Sequence, residues 1–272
     1  MPGPSNSKPA IVSGLINQRR FALAVAVTFL VAGLAVWALA PTQAEERRPL
    51  GLMTTLPIYW GEAAGMDELI AGTAEPHWAR GALEREYELI PLDSLSGADG
   101  LAREGGARQA GIKHLLLAQP RSLSGPENVA LDDWVRGGGR LLLFADPMLT
   151  SYSQFSIGDR RRPQDAIFLS PILSRWGLSL QFDEDQGIGE RVETLGDTAF
   201  PVDLAGRFTI AETAPDAAAK CELLASGIAA DCVIGAGRAL IIADAALLDQ
   251  ESPSSSREKT LKALTIRAFS AR

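Results

Sequence analysis

The sequence predicts an α/β domain: a mainly parallel sheet with helices on both faces and an antiparallel addition at one edge. Three observations carry that prediction. Apolar strand-like runs alternate with helical segments along most of the chain, the pattern of a sheet covered on both sides. The stretch LLLAQPRSLSGPENVALDDWVRGGGRLLLFADP, Leu115 to Pro147, is a strand–helix–strand unit of the length a right-handed parallel crossover needs. Late in the chain, two apolar runs, Ile228 to Ile234 and Arg238 to Ala243, are joined by Gly235-Ala236-Gly237, a hairpin-like turn.

Each element has its own reason. Leu50 to Leu56 is a short apolar run and the first strand. Ala79 to Tyr87 has helical character, and Glu88 to Leu92 follows as a strand. Asp99 to Ala110 reads as a helix weakened by Gly105-Gly106. His114 to Gln119 is a strong strand. In the next helix Ser124 fits the N-cap and Glu127, three residues on, completes a capping box, with Pro126 in the first turn where its missing N–H costs nothing. Ala130, Leu131, Trp134 and Val135 give that helix one apolar face, and Gly137-Gly138-Gly139 ends it. Arg140 to Ala145 is the paired strand. After a polar loop with Arg160-Arg161-Arg162, Ser170 to Trp176 reads as a helix closed by Gly177, and Leu178 to Phe182 as a strand. Residues 183–206 show no clear pattern. Arg207 to Ala211 reads as a strand, and Ser256 is placed to cap a last helix with Leu261, Leu264 and Ala268 on one face.

Ahead of this domain, FALAVAVTFLVAGLAVWALA, Phe21 to Ala40, is uncharged over its whole length. As a helix it spans roughly 30 Å, the hydrocarbon thickness of a bilayer. It is longer than the usual apolar core of a signal peptide, and Trp37 sits where an interfacial anchor belongs. The expectation is one N-terminal transmembrane helix over 21–40, with a cytoplasmic tail at 1–20, a linker at 41–49 and an extracytoplasmic domain at 50–272. A cleaved signal peptide, cut after Ala40 or Ala44, is the competing reading. Lys8, Arg19 and Arg20 before the span point the N-terminus to the cytoplasm and the domain to the periplasm or exterior.

Three of the 26 bases and none of the 33 acids fall in the first 44 residues, so the remainder carries 33 acids against 23 bases, a net −10. A surface this acidic is a poor polyanion binder, which argues against nucleic acid as a partner. The two cysteines, Cys221 and Cys232, flank CELLASGIAADC, two short apolar runs around Ser226-Gly227. In an oxidising compartment they are a disulfide candidate; the alternative is two small buried apolar side chains.

Three stretches together resemble the auxiliary, extracytoplasmic components of uncharacterised ABC-type transport systems, of which the gliding-motility ABC auxiliary proteins are the familiar members. They are the Leu115–Pro147 unit, LSPILSRWGLSLQFDED from Leu169 to Asp185, and GAGRALIIADAALLDQ from Gly235 to Gln250. The resemblance implies a fold similar to class I glutamine amidotransferase-like proteins, within the flavodoxin-like group. It also implies a membrane-anchored domain partnered with an ABC permease and ATPase. Gliding-motility members carry a C-terminal membrane span, whereas the apolar span here is N-terminal.

The chemistry-bearing residues are sparse. Active amidotransferase-like enzymes place a nucleophilic cysteine on a sharp turn after a strand; here that turn reads Gln119-Pro120-Arg121. No G-x-S-x-G elbow occurs, and His77 and His114 lack metal-ligand spacing. GAGRAL, at 235–240, leads from one strand into another and not into a helix, so it reads as a turn and not as a nucleotide loop. No cofactor is expected. What remains are binding candidates. Gln119, Asp146 and Asp244 each end a strand, and parallel strands bring such ends to one rim. Thr54, Tyr59 and Trp60 follow the first strand. The competing reading makes Asp146 and Asp244 helix caps and the two aromatics a cover for the core. The expected function is therefore a non-catalytic accessory subunit acting by ligand or partner contact. A glycan-like ligand-binding domain without a transporter, and a divergent hydrolase, are the alternatives.

Overall fold

A seven-stranded sheet is the centre of the computed structural model, which describes Gly3 and residues 47–61, 77–96, 101, 111–211, 219–249 and 254–270. All but Gly3 belong to one unit, Arg47–Arg272. The expected membrane span at 21–40 and the helix expected at 99–110 lie outside the described residues, apart from Leu101.

The five strands β1 (Arg48–Thr54), β2 (Tyr87–Pro91), β3 (His114–Ala118), β4 (Arg140–Phe144) and β11 (Gly237–Ile242) are mutually parallel. Antiparallel β10 (Ala229–Ile234) and β9 (Lys220–Leu224) extend one edge. The sheet is thus mainly parallel with an antiparallel edge, and its parallel part has the 2-1-3-4 order of a doubly wound fold whose direction of winding reverses between β1 and β3. Pro49 is tolerated in central β1 because pairing with β3 begins only at Leu50.

Both faces of the sheet are buried, which is why its strands read as continuous apolar runs. Leu50, Leu52, Leu116, Leu142, Phe144, Leu240 and Ile242 pack on one side with α1 (Trp78–Glu84) and α5 (Ser255–Phe269). Leu115, Leu117, Leu141, Leu143 and Ile241 pack on the other with α2 (Gly125–Arg136) and α3 (Ser170–Arg175). The capping box of α2 is formed: Ser124 Oγ accepts the Glu127 amide and Glu127 accepts the Ser124 amide. The turn between β10 and β11 has Gly235 at φ 59°, and a Cβ there would lie 2.7 Å from the Arg136 carbonyl oxygen at the end of α2.

Several boundaries differ from expectation. The first helix ends at Glu84 because Tyr87 already opens β2, paired with Arg48 of β1. The last helix is capped by Ser254, whose Oγ accepts the Arg257 amide, and not by Ser256; SPSSS offers several serines and only the packed start of the helix selects one. The strands expected near 178–182 and 207–211 do form, as β5 (Leu178–Gln181) and β8 (Arg207–Ile210), but they pair with each other outside the central sheet. Residues 183–206 hold a further hairpin, β6 (Arg191–Leu195) and β7 (Thr198–Val202).

Cys221 and Cys232 are direct cross-strand partners in β9 and β10 and form a disulfide. It clasps the edge strand to the sheet. Opening it should lower stability by about 2–3 kcal/mol, as for other short closed loops. Melting with and without reductant measures this. Thiol labelling of the unfolded, unreduced chain should find no free thiol; two labelled thiols would rule the bond out in the native protein.

Candidate functional site

The carboxyl ends of β1 and β2, beside the reversal between β1 and β3, open into a cleft of about 350 Å³. Its floor is Leu52, Leu56 and Leu92, its walls include Tyr59, Trp60 and Phe155, and its mouth carries Asp93 and Arg160 to Arg162. Open parallel sheets bind ligands at such a reversal, because two connections leave in opposite directions and part there.

Its rim is braced from behind. Gln119 follows β3 with φ 45°, a left-handed conformation that costs a non-glycine residue about 1 kcal/mol or more. Its side chain is wholly buried: Nε2 donates to the Asp146 and Gln164 carbonyls at 3.0 and 2.9 Å, and Oε1 accepts the Asp146 amide. Thr55 Oγ1 donates to the Gln119 carbonyl at 2.5 Å and accepts the Gln164 amide at 3.0 Å. These bonds tie the arginine loop to the ends of β1 and β3. Within that loop Arg161 pairs with Asp159 at 2.7 Å and lies 4.2 Å over the Phe155 ring, while Arg162 pairs with Asp165 at 2.8 Å.

On the other flank, Glu127 organises the segment that carries Asp93. Its carboxylate accepts from Arg121, Ser124, Ser94 Oγ and the Leu95 amide. Hydrogen bonds from Arg121 first, then from Ser124 and Leu95, hold it far below the usual carboxylate range against the effect of burial. Arg121 also donates to the Asp93 carbonyl at 2.6 Å.

Of the residues picked out as binding candidates, the structure brings Tyr59 and Trp60 to the cleft and sets Gln119, Asp146 and Asp244 inside the protein. Tyr59 and Trp60 stack edge to face at 4.8 Å, Arg80 covers the Tyr59 ring at 4.3 Å, and Trp60 stays 74% exposed. Asp146 accepts the Met148 and Ala245 amides at 2.8 and 3.0 Å; Asp244 accepts the Ala246 and Asp203 amides at 2.7 and 2.8 Å. Asp244 thus caps the short helix α4 (Ala246–Asp249), whereas no helix follows Asp146, whose carboxylate closes a turn and joins the segment after β4 to the segment after β11. Burial pushes Asp146 up to about 7 and Asp244 up to about 8; the charge of Asp146 raises Asp244 further, and those of Asp249 and Asp203 raise Asp146. His114 opens β3 at the opposite end of the sheet, 5.0 Å from the Phe269 ring. Asp93 escaped the sequence reading although it follows the end of β2 as Gln119 follows β3; that position was the available signal.

Because Trp60 is exposed, Trp60→Ala should leave the melting temperature nearly unchanged, with a cost within about 0.5 kcal/mol. A loss of several kcal/mol on melting would make it a core residue.

Fold and cleft together define an α/β domain with its polar rim side chains spent on architecture and an aromatic, arginine-bearing opening left over. A family model described as ABC-type uncharacterized transport system matches residues 48–186, just over half of the 272 residues. The chain belongs to this family, whose members are auxiliary components of ABC-type transport systems. No curated protein matches it. Among solved structures, an exo-β-1,4-mannosidase from an Opitutaceae bacterium is similar with TM-score 0.46 and 10% identity, over 84% of this chain and 37% of that one. A cold-adapted β-galactosidase from a Rahnella species gives TM-score 0.43 and 10% identity, over 86% and 33%. A protein described as ThuA-like from Parabacteroides merdae gives TM-score 0.34 and 9% identity, over 83% and 91%. This chain spans about a third of the length of the two glycosidases, and scores this low define no shared activity.

Proposed function

We propose that the chain is a non-catalytic, membrane-anchored accessory subunit of an ABC-type transport system, acting by ligand or partner contact at the cleft beside β1 and β2. The N-terminal apolar span holds it in the membrane, the domain lies outside, and the permease and ATPase are its partners. The family match over residues 48–186 carries this reading. It is supported by the site itself: Asp146 and Asp244 are buried and spent on backbone amides, while Trp60 stands open at the cleft.

The test is affinity purification of the tagged full-length chain in detergent after cross-linking. An ABC ATPase with its polytopic permease should be recovered together. Recovery of neither would overturn the reading. If the cleft contacts the partner directly, Trp60→Ala should weaken the association by about 2 kcal/mol, as truncation of an interface hot spot does, while melting stays as in the parent.

A further inference from the structure

We propose that the cleft beside β1 and β2 receives a zwitterion: a free amino acid or a short peptide with both termini uncapped. This deepens the reading of the cleft as the contact site, and it stands apart from the question of transport partners.

The argument is one of charge accounting inside a shaped site. Three arginines and one aspartate line the mouth. Arg161 is answered by Asp159 and Arg162 by Asp165. Among the described residues, Arg160 makes no ion pair or hydrogen bond, and the Asp93 carboxylate makes none either. Arg121 feels the charge of Asp93, but it donates to the Asp93 backbone carbonyl and gives its guanidinium to Glu127. Among the described residues, one positive and one negative side chain at the same opening are therefore without a bonded partner. A simple anion would satisfy Arg160 and set its charge against Asp93; a simple cation would do the reverse. A ligand carrying a carboxylate and an ammonium answers both, and each bond is charge-assisted.

The remaining surfaces fit the rest of such a ligand. Tyr59 and Phe155 each have a guanidinium over the ring, from Arg80 and Arg161. Trp60, 74% exposed, offers the open indole, which an ammonium or a flat side chain can stack on. Leu52, Leu56 and Leu92 provide an apolar floor for the side chain. A volume of about 350 Å³ is at the small end of ligand clefts, sized for a small molecule and not for a folded partner. Both flanks are fixed in advance, the arginine loop by Thr55 and Gln119 and the Asp93 segment by Arg121 and Glu127, so little ordering is needed on binding.

The experiment is melting and calorimetric titration of the full-length chain in detergent. The probes are a mixture of the free proteinogenic amino acids and, separately, a mixture of unblocked di- and tripeptides. At least one mixture should raise the melting temperature, and which one does so distinguishes the two sources. For the component that binds, N-acetylation and C-amidation should each weaken binding by about tenfold or more, as should Arg160→Ala and Asp93→Asn. Three results would overturn the proposal: neither mixture shifts the melting temperature, the N-acetylated form binds as tightly as the free one (a simple anion site), or both variants bind like the parent. If the ATPase and permease co-purify while no amino acid or peptide binds, the zwitterion falls and the transport reading stands.

Discussion

Replacing Trp176 by alanine should cost about 3–5 kcal/mol, a large share of the stability of an ordinary domain. Trp176 closes α3 and is fully buried between that helix and the sheet. Its indole Nε1 donates to Asp132 Oδ1 on α2 at 2.9 Å, and Asp132 Oδ2 accepts from Arg136 at 2.9 Å and Arg175 at 2.5 Å. Burial works against the Asp132 charge, but these hydrogen bonds win and hold the carboxyl below its ordinary value. One buried carboxylate therefore joins two helices that share a face of the sheet. Trp176→Ala opens a cavity there yet leaves both arginines on Asp132, so the loss is mainly packing. Trp176→Phe keeps most of the volume and loses the donor, for about 1.5–3 kcal/mol, the value of a hydrogen bond to a charged group. Urea unfolding of the two variants separates the terms. An alanine variant within about 1 kcal/mol of the parent would refute the assignment of Trp176 as a core post.

The features that sequence made legible are local ones. The capping box of α2 needs only Ser124 and Glu127, three residues apart. The sheet is legible because both its faces are buried, so LLLA and RLLLF admit no other role. The rim of strand ends was legible too, but not which way its side chains turn. That depends on partners remote in the chain: Ala245 for Asp146, Asp203 for Asp244, Gln164 for Gln119. A carboxylate at a strand end looks the same in sequence whether it faces a ligand or a distant amide. The hairpin β6–β7 stayed hidden because Val192 and Thr194 face solvent, which breaks the apolar alternation that marks a half-buried strand. Asp93 has no local signature, and nothing in Arg160-Arg161-Arg162 sets Arg160 apart; among the described residues Arg161 and Arg162 pair with Asp159 and Asp165, and that is visible only in the fold.

Those inward-turned carboxyls should make the domain most stable at mildly acid pH. Asp244 is pushed up to about 8 by burial and by Asp146, Asp146 up to about 7 by burial and by Asp249 and Asp203, and Asp249 up to about 6 by burial, which outweighs its bond from Thr150 and the pull of Arg257. In the unfolded chain all three release their protons near pH 4. The folded state thus holds protons that the unfolded state has lost. Their contribution to stability is full below about pH 4, falls from there as the unfolded chain gives up its protons, and is spent once pH has risen through the folded values of about 6 to about 8. Glu127 and Asp132 shift the other way and lose their contribution only under strongly acid conditions, so they leave this window to the three aspartates. Because the three groups titrate together, their shifts do not add; about 3–4 kcal/mol lost between pH 5 and pH 8 is the expected size, from roughly 1.4 kcal/mol per pH unit. Asp244→Asn should flatten the profile, at a cost at pH 5, because an amide cannot accept from both the Asp203 and Ala246 amides through its two ends. Melting of the Arg47–Arg272 unit across this range is the measurement. Stability that is level, or that rises toward pH 8, would mean these carboxylates are ionised in the folded protein throughout and are carried by their backbone amides alone.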